Sequence, residues 1–424
     1  MRKLIKGLFI ILFIVAHIFI LRNIFLLSKD MLTGDLSAEQ LLPMPRFGFE
    51  RIPASQSAEA THAQNRLAID FAQIYFPSRQ FASLGENYRT GALDPLQRSS
   101  RYAPLLHFLC SITLCRLDYG IASLLHMAIQ TLLFYFVLIY SFITLKLEKE
   151  LLPGLFLVNS LLFLTPIGLS WFERGQFSLY VGTSYLLMIL GFIKKKNALI
   201  LVSALFAFIK WTSFPYISVV LVAAFLNSKS LLEAKRTLLL AGAFLLIIIT
   251  LTFTFPAQSM DFLKGLYQQE RFSVPGGISL AKVLPVWIVK FLPIPVIFVG
   301  WLHARMNRKD FLRSMPFLAG SAVLMLTYPT LAYEYNLPSL LGFIPLFIFW
   351  TKLPDDLIPP VARKVLNYSL LAFGCLASFS NAIGRGAIVL GEYILISAIL
   401  LIVPVYFYWK QNMKAQRSRV ETDH

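Results

Sequence analysis

The chain has 424 residues, of which 57% are hydrophobic and only 14% charged, whereas soluble domains carry about 25% charged residues. This composition excludes an ordinary soluble protein, because the apolar residues come in blocks of about 18–25, long enough to cross roughly 30 Å of hydrocarbon. The net charge of +17 does not indicate nucleic-acid binding either. The basic residues stand in short clusters between apolar blocks, such as 194–196, 235–236 and 305–313, which is the positive-inside pattern of cytoplasmic loops.

The first predicted element is a transmembrane helix over 1–27, which begins in the cytoplasm and stays uncleaved because no small-residue cleavage motif follows it. Residues 28–119 are predicted to form a large extracytoplasmic first loop, since 28–103 contains as many acidic as basic residues. Within this loop, 67–77 predicts a short amphipathic helix that ends before Pro77. Residues 104–117 are apolar but too short to span, which predicts a partly inserted helix at the outer surface.

The remaining chain predicts a transmembrane helical core over 120–409 and a basic cytoplasmic tail over 410–424. Together with the first helix, the core gives about ten full spans. An even number of spans places both termini in the cytoplasm. The predicted spans of the core are 120–145, 151–170, 177–193, 237–255, 283–302, 314–331, 337–351, 365–382 and 387–409.

An apolar block over 198–226 is predicted to be a re-entrant helical hairpin rather than a span. Basic clusters flank it on both sides, and a single crossing would put one of them outside. Two helices of about 12 residues, each about 18 Å long, keep both clusters inside. Lys210 and Pro215 lie near the centre of the block, where a break must be buried in protein or face a wet cavity.

Several polar residues are predicted to meet at the outer face, and each has a functional and a structural interpretation. Asp70 is either a general base at the membrane interface or an ordinary solvated or capping carboxylate. Arg174 either binds phosphate through its guanidinium group or forms an interface ion pair or headgroup anchor. Lys210 either neutralises phosphate or pairs with a buried acid. Glu334 and Asn336 either bind sugar hydroxyls or lie in a solvated loop.

Cysteine and histidine offer no further site in the sequence. Cys110, Cys115 and Cys375 lie in apolar stretches without metal-site spacing, and we interpret them as small buried thiols rather than as a disulfide or zinc framework. Three histidines stand singly on apolar helices, where a packing role is the simpler interpretation; they are His17, His107 and His126.

The layout resembles the C-type membrane glycosyltransferases, and more narrowly glycosyltransferase family 87, the polyprenyl-phosphate-mannose-dependent mannosyltransferases. The similarity covers about 65–350 and follows the order of the family's motifs, while Ala103 and Arg174 depart from its usual proline and asparagine. The stretches that carry it are Ile69-Asp70-Phe71, Leu84-Gly85-Glu86-Asn87-Tyr88, Ser100-Arg101-Tyr102-Ala103-Pro104, Arg174-Gly175-Gln176, Ala207-Phe208-Ile209-Lys210-Trp211-Thr212 and, more weakly, Tyr333-Glu334-Tyr335.

The resemblance implies a monomeric enzyme of the plasma (inner) membrane that transfers a sugar, mannose in that family, from a polyprenyl-phosphate donor. The acceptor would be a hydroxyl of a glycan or glycolipid on the extracytoplasmic side. By carry-over, Asp70 is the catalytic base of a single inverting displacement, without cofactor or metal. The substrate-binding candidates are Arg101, Tyr102, Arg174, Gln176, Lys210, Glu334, Tyr335 and Asn336.

A different class of function is compatible with the same span pattern. A transporter or flippase of lipids or lipid-linked oligosaccharides is also polytopic, although such proteins often carry broken helices in matched halves. The sequence has one interrupted block, and no second one matches it in the other half. An oligosaccharide polymerase or ligase, and a scaffold without activity, are further alternatives.

Overall fold

The computed structural model describes residues 2–34, most of 67–352, parts of 360–368, and 387–422. Within 67–352 the description omits 96, 273–275, 278, 307–309, 330 and 333. The predicted span 365–382 therefore lies almost wholly outside the described residues, as does the segment 35–65.

The described residues are almost entirely helical. A two-residue parallel pairing joins β1 (Gly276–Gly277) to β2 (Leu331–Ala332). In chain order the α-helices are α1 (Arg2–Thr33), α2 (Ile69–Arg79), α3 (Leu84–Thr90), α4 (Pro104–Ile112), α5 (Tyr119–Thr144), α6 (Leu151–Phe163), α7 (Pro166–Glu173), α8 (Ser178–Ile193), α9 (Asn197–Ile209), α10 (Ser213–Leu226), α11 (Leu231–Thr252), α12 (Pro256–Phe272), α13 (Val286–Phe291), α14 (Pro293–Met306), α15 (Met315–Thr327), α16 (Ile344–Thr351) and α17 (Ala387–Thr422).

The apolar helices are those of a helical membrane protein, but the span count differs from the sequence prediction. Among the described residues, 3 helical segments are long and apolar enough to cross a membrane: Tyr119–Thr144, Leu231–Thr252 and Val286–Met306. A fourth is added if α6 and α7, which meet at 70°, count as one broken span. The prediction of about ten full spans was therefore wrong by this measure.

The reason is that breaks divide the apolar blocks. Thr165 caps α7 by accepting a hydrogen bond from the Gly168 amide, and Pro166 stands at the first helical position, so a new helix begins there. The block at 337–351 is divided as well, since it begins in a 3-10 helix, Glu334–Phe343. Helices of 13–16 residues such as α8 and α9 rise only about 20–24 Å.

Polar contacts gather at one end of the helical body, which we call the basic end. Arg236 donates to Asn197 Oδ1 at 3.0 Å, and Lys195 lies 3.8 Å from Glu233. Asn227 donates to Ser314 Oγ at 2.9 Å. A further ion pair there joins Lys352 to Glu150. The segments that meet here are the ones that the charge pattern assigns to the cytoplasm.

Helices α9 and α10 form a hairpin whose two open ends lie at the basic end. Helix α9 starts at Asn197 beside Arg236, and α10 ends at Leu226, directly before the Asn227–Ser314 contact. A continuous helix from 197 to 227 would separate these residues by about 45 Å. The chain instead turns between the two helices, so Lys210 lies at the opposite end of the body.

We expect Lys196→Cys and Lys229→Cys to react with an impermeant maleimide from the same side of sealed vesicles, because both positions flank the basic end. The measurement uses single variants in a Cys375→Ser background. Glu86→Cys, in the first loop, is the control and should react from the other side. Reaction of 196 and 229 from opposite sides would contradict the hairpin.

The first loop corrects two predictions. Helix α2 continues through Pro77 to Arg79, where the Ser78 hydroxyl donates to the Ile74 carbonyl at 2.6 Å. Cys110 and Cys115 form a disulfide, although we had predicted free thiols. Five residues of continuous helix rise about 7.5 Å, but α4 ends at Ile112, and the turn after it brings the two Cα atoms to 5.0 Å.

Candidate functional site

The site is built where the start of α2 meets the end of α7. The Ala68 amide donates to the Glu173 carbonyl at 2.6 Å, and the Asp70 amide donates to the Arg174 carbonyl at 2.9 Å. Amides at the start of one helix thus satisfy carbonyls at the end of another, and the positive end of α2 faces the negative end of α7. This junction fixes the position of Asp70 in the first turn of α2.

The turn after α7 depends on Gly175. Its φ is +62°, a left-handed conformation that glycine adopts without strain. A Cβ atom at this position would lie 3.1 Å from both Cα and Cβ of Ala68. The residue type therefore allows the turn to approach α2 closely enough for Arg174 and Gln176 to reach the same carboxylate.

Asp70 is buried, with 6% of its surface exposed, and three donors hold it. Arg174 Nε donates to Oδ2 at 2.9 Å, and a second guanidinium nitrogen donates to Oδ1 at 3.3 Å. Gln176 Nε2 also donates to Oδ2, at 2.7 Å. Arg98 lies 3.7 Å from Oδ1. A carboxylate offers about four acceptor positions, and the two nitrogens of Arg174 and the amide of Gln176 use three of them.

The charges around Asp70 keep its carboxyl group ionised. Burial acts to raise the pKa of Asp70, but the positive charges of Arg174, Arg98 and Lys210 outweigh this effect, and the pKa falls below its ordinary value of 3.8. A carboxylate with a low pKa is a weak base. It accepts a proton readily only when the donating hydroxyl becomes acidic during bond formation.

We expect the contribution of Asp70 to the free energy of unfolding to be constant from neutral pH down to about pH 5 and to fall below that. The folded pKa is lower than the unfolded one, so the unfolded chain takes up the proton first as the pH drops through 3.8. Unfolding in detergent, followed between pH 3 and 7 for wild type and Asp70→Asn, measures this. Equal pH profiles for both proteins would contradict the expectation.

Lys210 lies on the far side of Gln176 from Asp70. Its Nζ is 3.5 Å from Gln176 Oε1 and 3.4 Å from the Tyr102 hydroxyl. The rings of Tyr102 and Phe177 are 5.4 and 5.8 Å from Nζ, within the range of cation–π interaction. Lys210 directly follows the C-terminus of α9, whose dipole favours a cation.

Tyr102 is held by a hydrogen-bond chain that the sequence does not reveal. His107 is buried, and its ring nitrogens lie 3.0 Å from Ser78 Oγ and 2.9 Å from Ser100 Oγ. Ser100 accepts from the Tyr102 amide, and the Tyr88 hydroxyl donates to the Tyr102 carbonyl at 2.7 Å. Burial lowers the pKa of His107 to about 3, so the ring is neutral at physiological pH.

The structure brings together five of the predicted site residues, Asp70, Tyr102, Arg174, Gln176 and Lys210. The other candidates are less closely connected. The Arg101 side chain is exposed, although its charge acts on Lys210. Asn336 accepts from Ser178 at 3.3 Å on the adjoining helix. Glu334 and Tyr335 begin the 3-10 helix, and their side chains lie outside the described residues.

Sequence reasoning missed Arg98, which pairs with Asp94 at 3.0 Å and donates to the Ile69 carbonyl as well as facing Asp70. The Asp94–Arg98 spacing of four residues was the available signal, but such pairs are common.

In the described part of the chain, no group of three or more His, Cys, Asp or Glu side chains could hold a metal ion. No protein-family model matches the sequence, and no curated protein matches it significantly.

Proposed function

We propose that this protein is a membrane glycosyltransferase that moves a sugar from a polyprenyl-phosphate donor to an acceptor hydroxyl on the extracytoplasmic side. The observation that carries the proposal is the bridge made by Gln176. Its amide nitrogen donates to the Asp70 carboxylate and its amide oxygen faces the Lys210 ammonium. An ionised acid and a cation thus stand on either side of one short side chain.

The chemistry uses these two groups in one displacement. The acceptor hydroxyl binds at Asp70 Oδ1 and attacks the anomeric carbon while its proton passes to the carboxylate. The bond from the anomeric carbon to the phosphate oxygen breaks, and its electron pair stays on the lipid phosphate. Lys210 stabilises the charge that develops there. Attack opposite the leaving group inverts the anomeric centre.

Two features support an extracytoplasmic site. Basic clusters gather at the end of the body opposite Lys210, as expected of cytoplasmic loops. The Cys110–Cys115 disulfide lies in the first loop, which also carries Asp70, and disulfides persist in oxidising compartments. The shorter apolar helices pack among the three long segments, and we propose that they complete the membrane-embedded body, with α9 and α10 as a re-entrant hairpin.

The test is transfer by purified protein in vesicles supplied with a panel of labelled polyprenyl-phosphate sugars, including mannose, and an envelope-glycan extract. We expect Asp70→Asn to abolish transfer, because an amide cannot accept the proton. Glu86→Gln is the matched control, since it makes the same acid-to-amide change at an exposed position in the same loop.

Full transfer by Asp70→Asn would overturn the base assignment. Movement of the labelled donor across the vesicle membrane without sugar transfer by wild type would instead support the lipid-transporter alternative.

A further inference from the structure

A line of buried polar residues on α5 contacts both halves of the site. Tyr119, His126 and Gln130, which we call the α5 polar stripe, are spaced by seven and four residues and so share one helix face. They are 2%, 3% and 0% exposed. Polar groups on a buried face of a long apolar helix are costly unless they are hydrogen-bonded, so their partners indicate their purpose.

Tyr119, at the N-terminal end of the stripe, holds the segment before Asp70. The Tyr119 hydroxyl lies 3.0 Å from the Leu67 carbonyl and 2.8 Å from the Ala68 carbonyl. Ala68 has a φ of 51°, an uncommon conformation for a residue with a side chain. The Tyr119 contact therefore stabilises the turn from which α2 starts.

Gln130 and His126, toward the C-terminal end of the stripe, hold the turn that carries Arg174 and Gln176. Gln130 Nε2 donates to the Gln176 carbonyl at 2.7 Å and lies 3.2 Å from His126 Nε2. Since an amide nitrogen only donates, His126 Nε2 is the acceptor, and the ring proton is on Nδ1. The ring also interacts with the main chain of Gly175.

Ring packing joins the two halves. The His126 ring stacks on Phe71 at 4.8 Å and contacts Phe177 at 4.2 Å. These aromatic residues directly follow Asp70 and Gln176 in the chain. One neutral histidine thus lies between the two segments that supply the carboxylate and its partners.

We propose that the α5 polar stripe is the positioning element of the site, which sets the Asp70 carboxylate against Arg174 and Gln176. A consequence for sugar transfer rests on the proposed function, but the placement of the carboxylate can be measured without any turnover. Carbodiimide labelling of Asp70, quantified by mass spectrometry of the purified protein, reports how well the carboxylate is covered.

We expect Gln130→Glu to increase Asp70 labelling about tenfold, because it sets a carboxylate against the Gln176 carbonyl and removes the hydrogen bonds of Nε2 to Gln176 and His126. Ser141→Ala is the matched control. Ser141 is 0% exposed and lies eleven residues after Gln130 on the same face of α5, and its hydroxyl donates to the carbonyl of Leu138 in its own helix, at 2.6 Å. Labelling in this variant should equal that of wild type.

A second pair of variants separates hydrogen bonding from packing. His126→Phe keeps an aromatic ring but no hydrogen bond, whereas His126→Asn keeps a donor at the position of Nδ1. We expect low labelling of Asp70 in the asparagine variant and high labelling in the phenylalanine variant. If His126 acted through ring packing alone, the asparagine variant would show the higher labelling. This pair decides the matter if Gln130→Glu does not fold.

Equal labelling of Gln130→Glu and Ser141→Ala, or labelling of His126→Asn as strong as that of His126→Phe, would overturn the proposal. Neither outcome depends on whether the protein transfers sugar. Where transfer is measurable, the rate constant kcat should fall in His126→Phe and recover in His126→Asn, with KM little changed.

Discussion

Replacement of Arg174 by glutamine is expected to lower the free energy of unfolding by about 3–5 kcal/mol, because it leaves a buried carboxylate without its main partner. The pair is nearly closed to solvent, with Asp70 6% and Arg174 8% exposed. Asp70→Asn should cost a similar amount, since it removes the carboxylate that neutralises the buried guanidinium group. Chemical or thermal unfolding in detergent micelles measures both changes.

The double variant, Asp70→Asn with Arg174→Gln, is the control for this first prediction. Residues in direct contact are coupled, so its cost should be clearly smaller than the sum of the two single costs. Comparison of the two single variants with the double variant separates the energy of the ion pair from that of the other contacts of each side chain. Simple addition of the two costs would contradict a direct pair.

The second large effect concerns Lys210. We expect Lys210→Met to lower the rate of sugar transfer by about 10²–10³, the loss typical of removing one preorganised group that stabilises transition-state charge. Methionine has nearly the same length and removes the ammonium group. The measurement is transfer from the polyprenyl-phosphate donor at saturating concentration.

Two further variants show whether the loss of rate is due to the charge at position 210. Lys210→Arg retains the charge and should recover part of the rate, although a guanidinium group differs in shape. Lys264→Met removes an exposed charge from α12, which packs over the same end of the body through Phe262 and Trp211. Transfer at the wild-type rate by Lys210→Met would contradict a role for this cation.

Some of this arrangement can be predicted from the sequence. A lysine in the middle of an apolar block is costly without a purpose, which singles out Lys210. Basic clusters on both flanks of that block predict that its two ends lie together. In the structure, Arg236 from the C-terminal flank contacts Asn197 at the start of the block. Asp70 stands out as the acid of a short amphipathic segment. Each of these inferences uses a local pattern with a known physical cost.

Other features depend on contacts that no local pattern records. Asp70 and Arg174 are 104 residues apart, and their pairing depends on the docking of α2 on α7. The polar stripe of α5 has the spacing of an ordinary buried face, and only its partners reveal its role. Span lengths were overestimated because hydropathy does not register where a cap or a 3-10 turn ends a helix. The disulfide was missed for the same reason.

The docking of α2 on α7 has a consequence for how a ligand enters. Withdrawal of α2 would break the hydrogen bonds from the Ala68 and Asp70 amides to the Glu173 and Arg174 carbonyls, and would separate a buried ion pair. Helix α2 is therefore a fixed wall of the site rather than a moving cover. Under the proposed function, a lipid-borne donor would then approach sideways between helices, and bilayer thickness and composition should govern its arrival.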